Sequence, residues 1–146
     1  MNYFLCITTE ENAKIIMDKK IWGVSKNYKN SISKVNLGDY LIIYEMGKPG
    51  NKVVEPKPQY IKAIYEAVSE VKEDNKKIFE AHPNNPSEVY PLRIKLKEVK
   101  IFENPILFKE LVPDMEFIKN KKQWSGSLRR AMAQIGEADY KKIIGN

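Results

Sequence analysis

An α+β domain built on a small curved sheet is what this sequence predicts, and three observations lead there. The apolar patterns run strand, helix, several strands, then helices at the C-terminus. The strand patterns are long and joined mostly by loops, so the sheet is largely antiparallel or mixed. Within residues 90–101 the apolar positions change parity, with Leu92, Ile94 and Leu96 on one face and Val99 and Ile101 on the other. A bulge or bend near Lys97-Glu98 follows, and bent long strands suit a curled, barrel-like sheet. A chain of 146 residues fits a single domain over 1–146, large enough to bury a core without staples.

Residues 3–8 are dense in aromatic and aliphatic side chains and predict a buried first strand. Thr8 with Glu11 fits a reciprocal capping box, and a helix follows to about Lys20 with Ala13, Ile16 and Met17 at helical spacing. Trp22-Gly23 ends it, and residues 25–36 predict a polar loop anchored by Ile32 and Val35. Gly38-Asp39 turns the chain into a strand over 40–46. Residues 47–58 hold two glycines and three prolines and predict a long hairpin connection. Residues 60–71 alternate as a strand with one face fully buried, and 72–88 are polar with Ile78-Phe79 as their apolar pair. After the strand over 90–101, Phe108 opens a short helix or turn. Ser125 or Ser127 then caps a helix carrying Leu128, Met132 and Ile135, Gly136 stops it, and a last short helix spans 137–144.

The chemistry-bearing residues are few. Cys6 is the lone cysteine and sits in an apolar run, which makes it a buried strand residue. His82 is the lone histidine, so no Cys/His zinc set exists, and neither a metal nor a cofactor is expected. No apolar run reaches the roughly 20 residues of a bilayer crossing, and no leader pattern opens the sequence. A cytoplasmic location without a membrane partner is the default expectation. The formal charge of +6, carried mainly by lysine, attracts polyanions and makes nucleic acid the natural partner class; a Lys/Glu-rich surface of thermophile type is the plainer alternative.

The segment Ile21-Trp22-Gly23-Val24-Ser25 stands out, because a tryptophan beside a glycine in polar surroundings is either a core plug or one wall of a pocket for a flat ring. Together with Tyr3-Phe4, Glu11-Asn12, Gly38-Asp39 before Leu41-Ile42-Ile43-Tyr44, Tyr90-Pro91-Leu92-Arg93, the Asn104–Phe108 stretch, Phe117–Lys121 and Trp124, it resembles an EVE domain over essentially the whole chain. EVE domains lie in the PUA-like fold group beside the YTH readers. The resemblance implies a five- or six-stranded, barrel-like sheet flanked by helices, with a pocket beside the tryptophan. In YTH readers that pocket is an aromatic cage for a methylated adenine, and EVE domains are thought to read modified bases in DNA or RNA. Trp22 matches the first cage tryptophan and Asn12 an asparagine that bonds the adenine ring. The second cage tryptophan falls within 72–88, where this chain has Phe79 and His82, and the second ring-contacting asparagine falls near Thr8.

A base pocket needs a planar wall, edge readers and a cationic mouth. Trp22 supplies the wall, with Phe79, Tyr28 or Tyr60 as the second. Asn12 and the backbone of residues 22–24 read the edge, Gly23 permitting close approach and Ser25 lying beside it. Lys26, Lys29, Lys119, Lys121, Lys122, Arg129 and Arg130 are the candidates for phosphate contacts. Trp124 and the tyrosines at 44 and 65 read as structural, the latter two with satisfied hydroxyls; Asp39 reads as a turn residue. Arg93 faces away from the core or pairs with a carboxylate such as Glu66. The expected function is a non-catalytic module that accommodates a modified or flipped base of RNA or DNA. The alternatives are a structured-RNA binder that ignores the pocket, a small-ligand protein, and a PUA-like hydrolase, for which no paired acid–base spacing is present.

Overall fold

Two long parallel strands, separated by a helical crossover, organise the chain; the computed structural model describes residues 1–145. β1 (Tyr3–Thr8) lies parallel to β3 (Tyr40–Glu45), with Tyr3 opposite Tyr40. Parallel neighbours need a crossover, supplied here by α1 (Glu10–Lys19), β2 (Ile21–Val24) and the short α2 (Lys29–Ile32). β4 (Tyr60–Ala67) returns antiparallel along β3, the two-residue β5 (Lys72–Glu73) follows, and β6 (Leu92–Leu107) runs antiparallel to β4. β2 flanks β6, and β7 (Met132–Ile135) flanks β1 before α3 (Glu137–Ile144) ends the fold. Among the described residues the sheet has seven strands in the order β2-β6-β4-β3-β1-β7, with β5 also on β6. The α+β class and curled mixed sheet are as expected, and the sheet forms a half-barrel. Its strand number exceeds the five or six that the resemblance implies, and β2, β5 and β7 were not legible as strands in the sequence. No helix among the described residues is long and apolar enough to cross a membrane.

The curl has a local cause. Ile64 faces Lys100 while Tyr65 faces Glu98, so Val99 is an extra residue on β6, next to the expected bend at Lys97-Glu98. A larger irregularity separates Ile61 opposite Ile106 from Ala63 opposite Ile101. β6 runs through both and spans 16 residues.

Both faces of the sheet are covered, which is why β1 and β3 are almost continuously apolar. Phe4, Cys6, Leu41, Ile43, Ala63 and Tyr65 pack with α1 and Trp22 on one face. Leu5, Ile7, Ile42, Tyr44, Ile61 and Ile64 pack on the other with Phe108, Met115, Ile118 and Ile143. Cys6 is fully buried, as expected, and burial pushes its thiol pKa up. Trp124 packs on this second face, 5.7 Å from the Phe108 ring.

Four local expectations are corrected. The N-cap of α1 is Thr9, whose Oγ1 accepts from the Asn12 N–H at 3.2 Å, while Thr8 is the last residue of β1. Residues 25–36 hold a 3₁₀ turn (Lys26–Tyr28) and α2 rather than loop alone. The helix expected over Leu128, Met132 and Ile135 is absent. A 3₁₀ turn (Trp124–Leu128) leads instead into β7, where Met132 faces Cys6 and Ile135 faces Tyr3. The helical spacing was real, but the open edge of β1 offers the segment a ladder of backbone bonds. Tyr65, finally, has a buried hydroxyl without a partner among the described residues. Asp39 does serve the turn, its carboxylate accepting from the N–H groups of Asn36 and Asn2.

Candidate functional site

Lys20, in the left-handed region at φ 56°, closes α1 and swings the chain directly into β2. Trp22 therefore lies on a strand opposite Ile94, not in the polar loop that the sequence predicts. Its ring is 2% exposed and belongs to the core under α1. A cavity of about 120 Å³ nevertheless lies beside it. Trp22, Tyr28, Phe79 and Tyr90 give it four aromatic walls, and Asn12, Gly23 and Ser25 also line it. Of the expected ligand-contacting residues, Val24 and Tyr60 are not at the cavity, and Val24 packs into the core. Tyr90 was missed. Its positive φ of 52° before Pro91 is the local reason that it turns at this point, and sequence offers no direct sign of that conformation.

The walls are held by two polar clamps. The Asn12 Nδ2 donates to the Glu80 carbonyl at 2.9 Å, and its Oδ1 accepts from the Glu80 N–H at 2.7 Å. This locks the residue next to Phe79 onto α1. It leaves the amide with one further hydrogen and one further lone pair. Arg93, 6% exposed, donates through Nε to the Tyr90 carbonyl at 3.0 Å and through one terminal nitrogen to the carbonyls of Val89 and Lys76. Its guanidinium also lies 5.4 Å from the Phe79 ring centre and 3.6 Å from Asp74. Burial pulls the Arg93 pKa down, and Asp74 opposes that. The expected partner Glu66 instead sits opposite Lys97 on the sheet. The Trp22 Nε1 is fully buried and has no partner among the described residues.

The expected cations are scattered. Lys26 borders a shallow hollow next to Ser25 and pairs with Glu73 at 3.7 Å; Lys29 is exposed on α2. Lys119, Lys121 and Lys122 follow Ile118 on the segment covering the other sheet face, Lys121 donating to the Met115 carbonyl. Arg130 donates to the Ser127 carbonyl at 3.2 Å. Arg129 borders a second, larger groove. None of these seven lines the cavity itself. His82 accepts from the Asn84 N–H in its loop, and Tyr60 is not a cavity residue.

Near the cavity, α1 is tied to the 47–58 loop by two ion pairs, Lys48 with Glu11 at 2.8 Å and Lys57 with Glu10 at 3.0 Å. The lysine hydrogen bonds hold both glutamate pKa values below normal. A depressed carboxylate pKa contributes stability above the unfolded value, and that contribution disappears as pH falls through the folded value. The pairs are exposed, so the effect is small. Chemical denaturation from pH 6 to pH 3 is expected to show a slightly steeper loss of stability in the parent than in Glu10→Gln/Glu11→Gln. Equal slopes would show that the pairs contribute nothing.

Half-barrel, crossover helix and aromatic-lined cavity define a class of small domain, and the comparisons place it. Solved structures with this fold include a protein of Pseudomonas putida (14% identical, TM-score 0.68, covering 98% of this chain and 97% of the other). The Pho92 YTH domain, solved in complex with m6A, also shares it (15% identical, TM-score 0.61, covering 99% of this chain and 81% of the other). The EVE domain family model matches residues 2–146, and the chain belongs to the EVE domain family. A UPF0310 protein of Pyrococcus horikoshii is 46% identical over 147 residues, covering 98% of this chain and 97% of the relative. One from Pyrococcus abyssi is 43% identical over 145 residues, with the same coverage.

Proposed function

We propose that this protein is a non-catalytic nucleic-acid-binding module that takes one modified or flipped base of RNA or DNA into the cavity beside Trp22. The observation that carries the reading is a cavity with four aromatic walls. An engineered apolar cavity of about 150 Å³ accepts a benzene ring. At about 120 Å³ this one is on the scale of a flat ring, well below the roughly 300–1,000 Å³ of pockets for larger ligands. The remaining hydrogen and lone pair of Asn12 suit the edge of a base. Trp22 then acts as a packed wall rather than an open stacking platform. The fold shared with a YTH domain bound to m6A supports the same class of ligand. No acid–base pair enters the reading: Glu10 and Glu11 are engaged by lysines.

Trp22→Ala is a poor test, because emptying so buried a site costs about 3–5 kcal/mol of stability. Ser25→Leu is better. Ser25 lines the cavity and its side chain makes no capping bond, so leucine fills the space while the fold is kept. Titration with nucleosides and short oligonucleotides, with and without base modification, is expected to show saturable binding that Ser25→Leu abolishes. A Ser25→Leu protein that binds as the parent does would place the base elsewhere.

A further inference from the structure

Resting on the cavity as the base site, we propose that the groove between the 47–58 loop and the 124–129 turn carries the backbone of the single strand that flanks the inserted base. The groove has a volume of about 860 Å³ and meets the cavity at Met46, which lines both. Its charged lining residues are Lys48, Lys57 and Arg129, all cations. Tyr44 and the prolines of the loop make much of the remainder apolar, a surface that tolerates sugars and bases of any sequence.

The two lysines are placed by the backbone. Lys48 and Lys57 face each other across an antiparallel bridge, each N–H donating to the other's carbonyl at 2.9 Å. Directly opposed residues project to the same side, where like charges repel. Glu11 and Glu10 relieve that repulsion, at 2.8 and 3.0 Å. Both ion pairs are solvent-accessible, so phosphate oxygens can take the place of the carboxylates without a desolvation penalty. Arg129 adds the third cation from the turn. A base entering the cavity beside Met46 leaves its flanking phosphates at the groove, next to these three charges.

The test compares Lys48→Gln/Lys57→Gln/Arg129→Gln with a control of equal charge change, Lys95→Gln/Lys97→Gln/Lys100→Gln, on exposed positions of β6. The probes are a modified nucleoside and a short single-stranded oligonucleotide containing it, titrated over a range of salt. The groove variant is expected to bind the nucleoside as the parent does. It is expected to lose on the order of ten- to a hundredfold for the oligonucleotide at 0.1 M salt, with a salt slope shallower by about 2. The control is expected to change little. Unchanged oligonucleotide affinity in the groove variant, or an equal loss in the control, overturns the proposal. If no nucleoside binds even the parent while the groove variant alone loses oligonucleotide binding, the cavity reading fails and the groove assignment stands.

Discussion

Arg93→Ala is expected to cost about 3 kcal/mol or more and to release residues 74–91 from the sheet while β1, β3 and β4 stay folded. The guanidinium binds the carbonyls of Lys76, Val89 and Tyr90, so one side chain fastens both ends of the segment that carries Phe79. Hydrogen bonds to a charged partner are worth about 1.5–3 kcal/mol each, and a buried acceptor left unpaired adds its desolvation cost. Alanine also removes the cation from beside the Phe79 ring. Hydrogen exchange should show the Asp74 amide, which bonds the Pro91 carbonyl at 2.8 Å, losing protection ahead of the β1 and β3 amides. Arg93→Lys is expected to recover only a fraction, because an ammonium cannot reproduce the planar fork that reaches several carbonyls at once. Nucleoside binding should fall with the segment, since Phe79 and Tyr90 are both cavity walls. An Arg93→Ala protein with parental melting and exchange would show that the segment is held by something else.

The same segment marks where sequence reasoning stopped. β1 and β3 were legible because a strand buried on both faces needs an unbroken apolar run, and the runs at 3–8 and 40–45 have one. The bend in β6 was legible because a bulge flips side-chain parity, and parity is visible in the letters. β7 was not. Leu128, Met132 and Ile135 keep helical spacing, and only the presence of β1's open edge makes the last two strand. Trp22, Gly23, Ser25, Tyr28, Asn12 and Phe79, brought together in the sequence reading largely through the family resemblance, line one cavity. Arg93 does pair with a carboxylate, but with Asp74 rather than Glu66, and it is buried rather than outward-facing. Its hydrogen-bond partners are backbone carbonyls in a loop, and carbonyls carry no sequence signature. The pairing of Lys48 with Lys57 was not legible for a similar reason: it arises only through their hairpin bridge, while the conspicuous Lys121-Lys122 run lies on the segment covering the other face.

Gly23→Ala is the second large effect, and it separates space from backbone freedom as the reason for this glycine. Gly23 has no left-handed φ, unlike Gly38, so its conformation is open to alanine. The obstacle is contact. A Cβ there would lie 2.7 Å from Cε2 of Phe79, 2.9 Å from the Tyr90 carbonyl oxygen and 3.3 Å from Cγ of Arg93. One of these is backbone and the other two belong to clamped side chains, so none yields cheaply. Overpacking of this kind costs about 1–3 kcal/mol, and for a chain of this size each kcal/mol lowers Tm by about 4 °C. A fall of about 4–12 °C is therefore expected, with nucleoside binding lost as Phe79 is pushed from the cavity wall. Gly126→Ala meets nothing within 4 Å and should leave both properties near parental. Shortening the obstructing side chain, in Gly23→Ala/Phe79→Leu, should recover part of the stability but not the binding, because it returns space without returning the aromatic wall. A Gly23→Ala protein that melts and binds like the parent would mean that Phe79 and Tyr90 are free to move away from β2, and the cavity would then not be a preformed site.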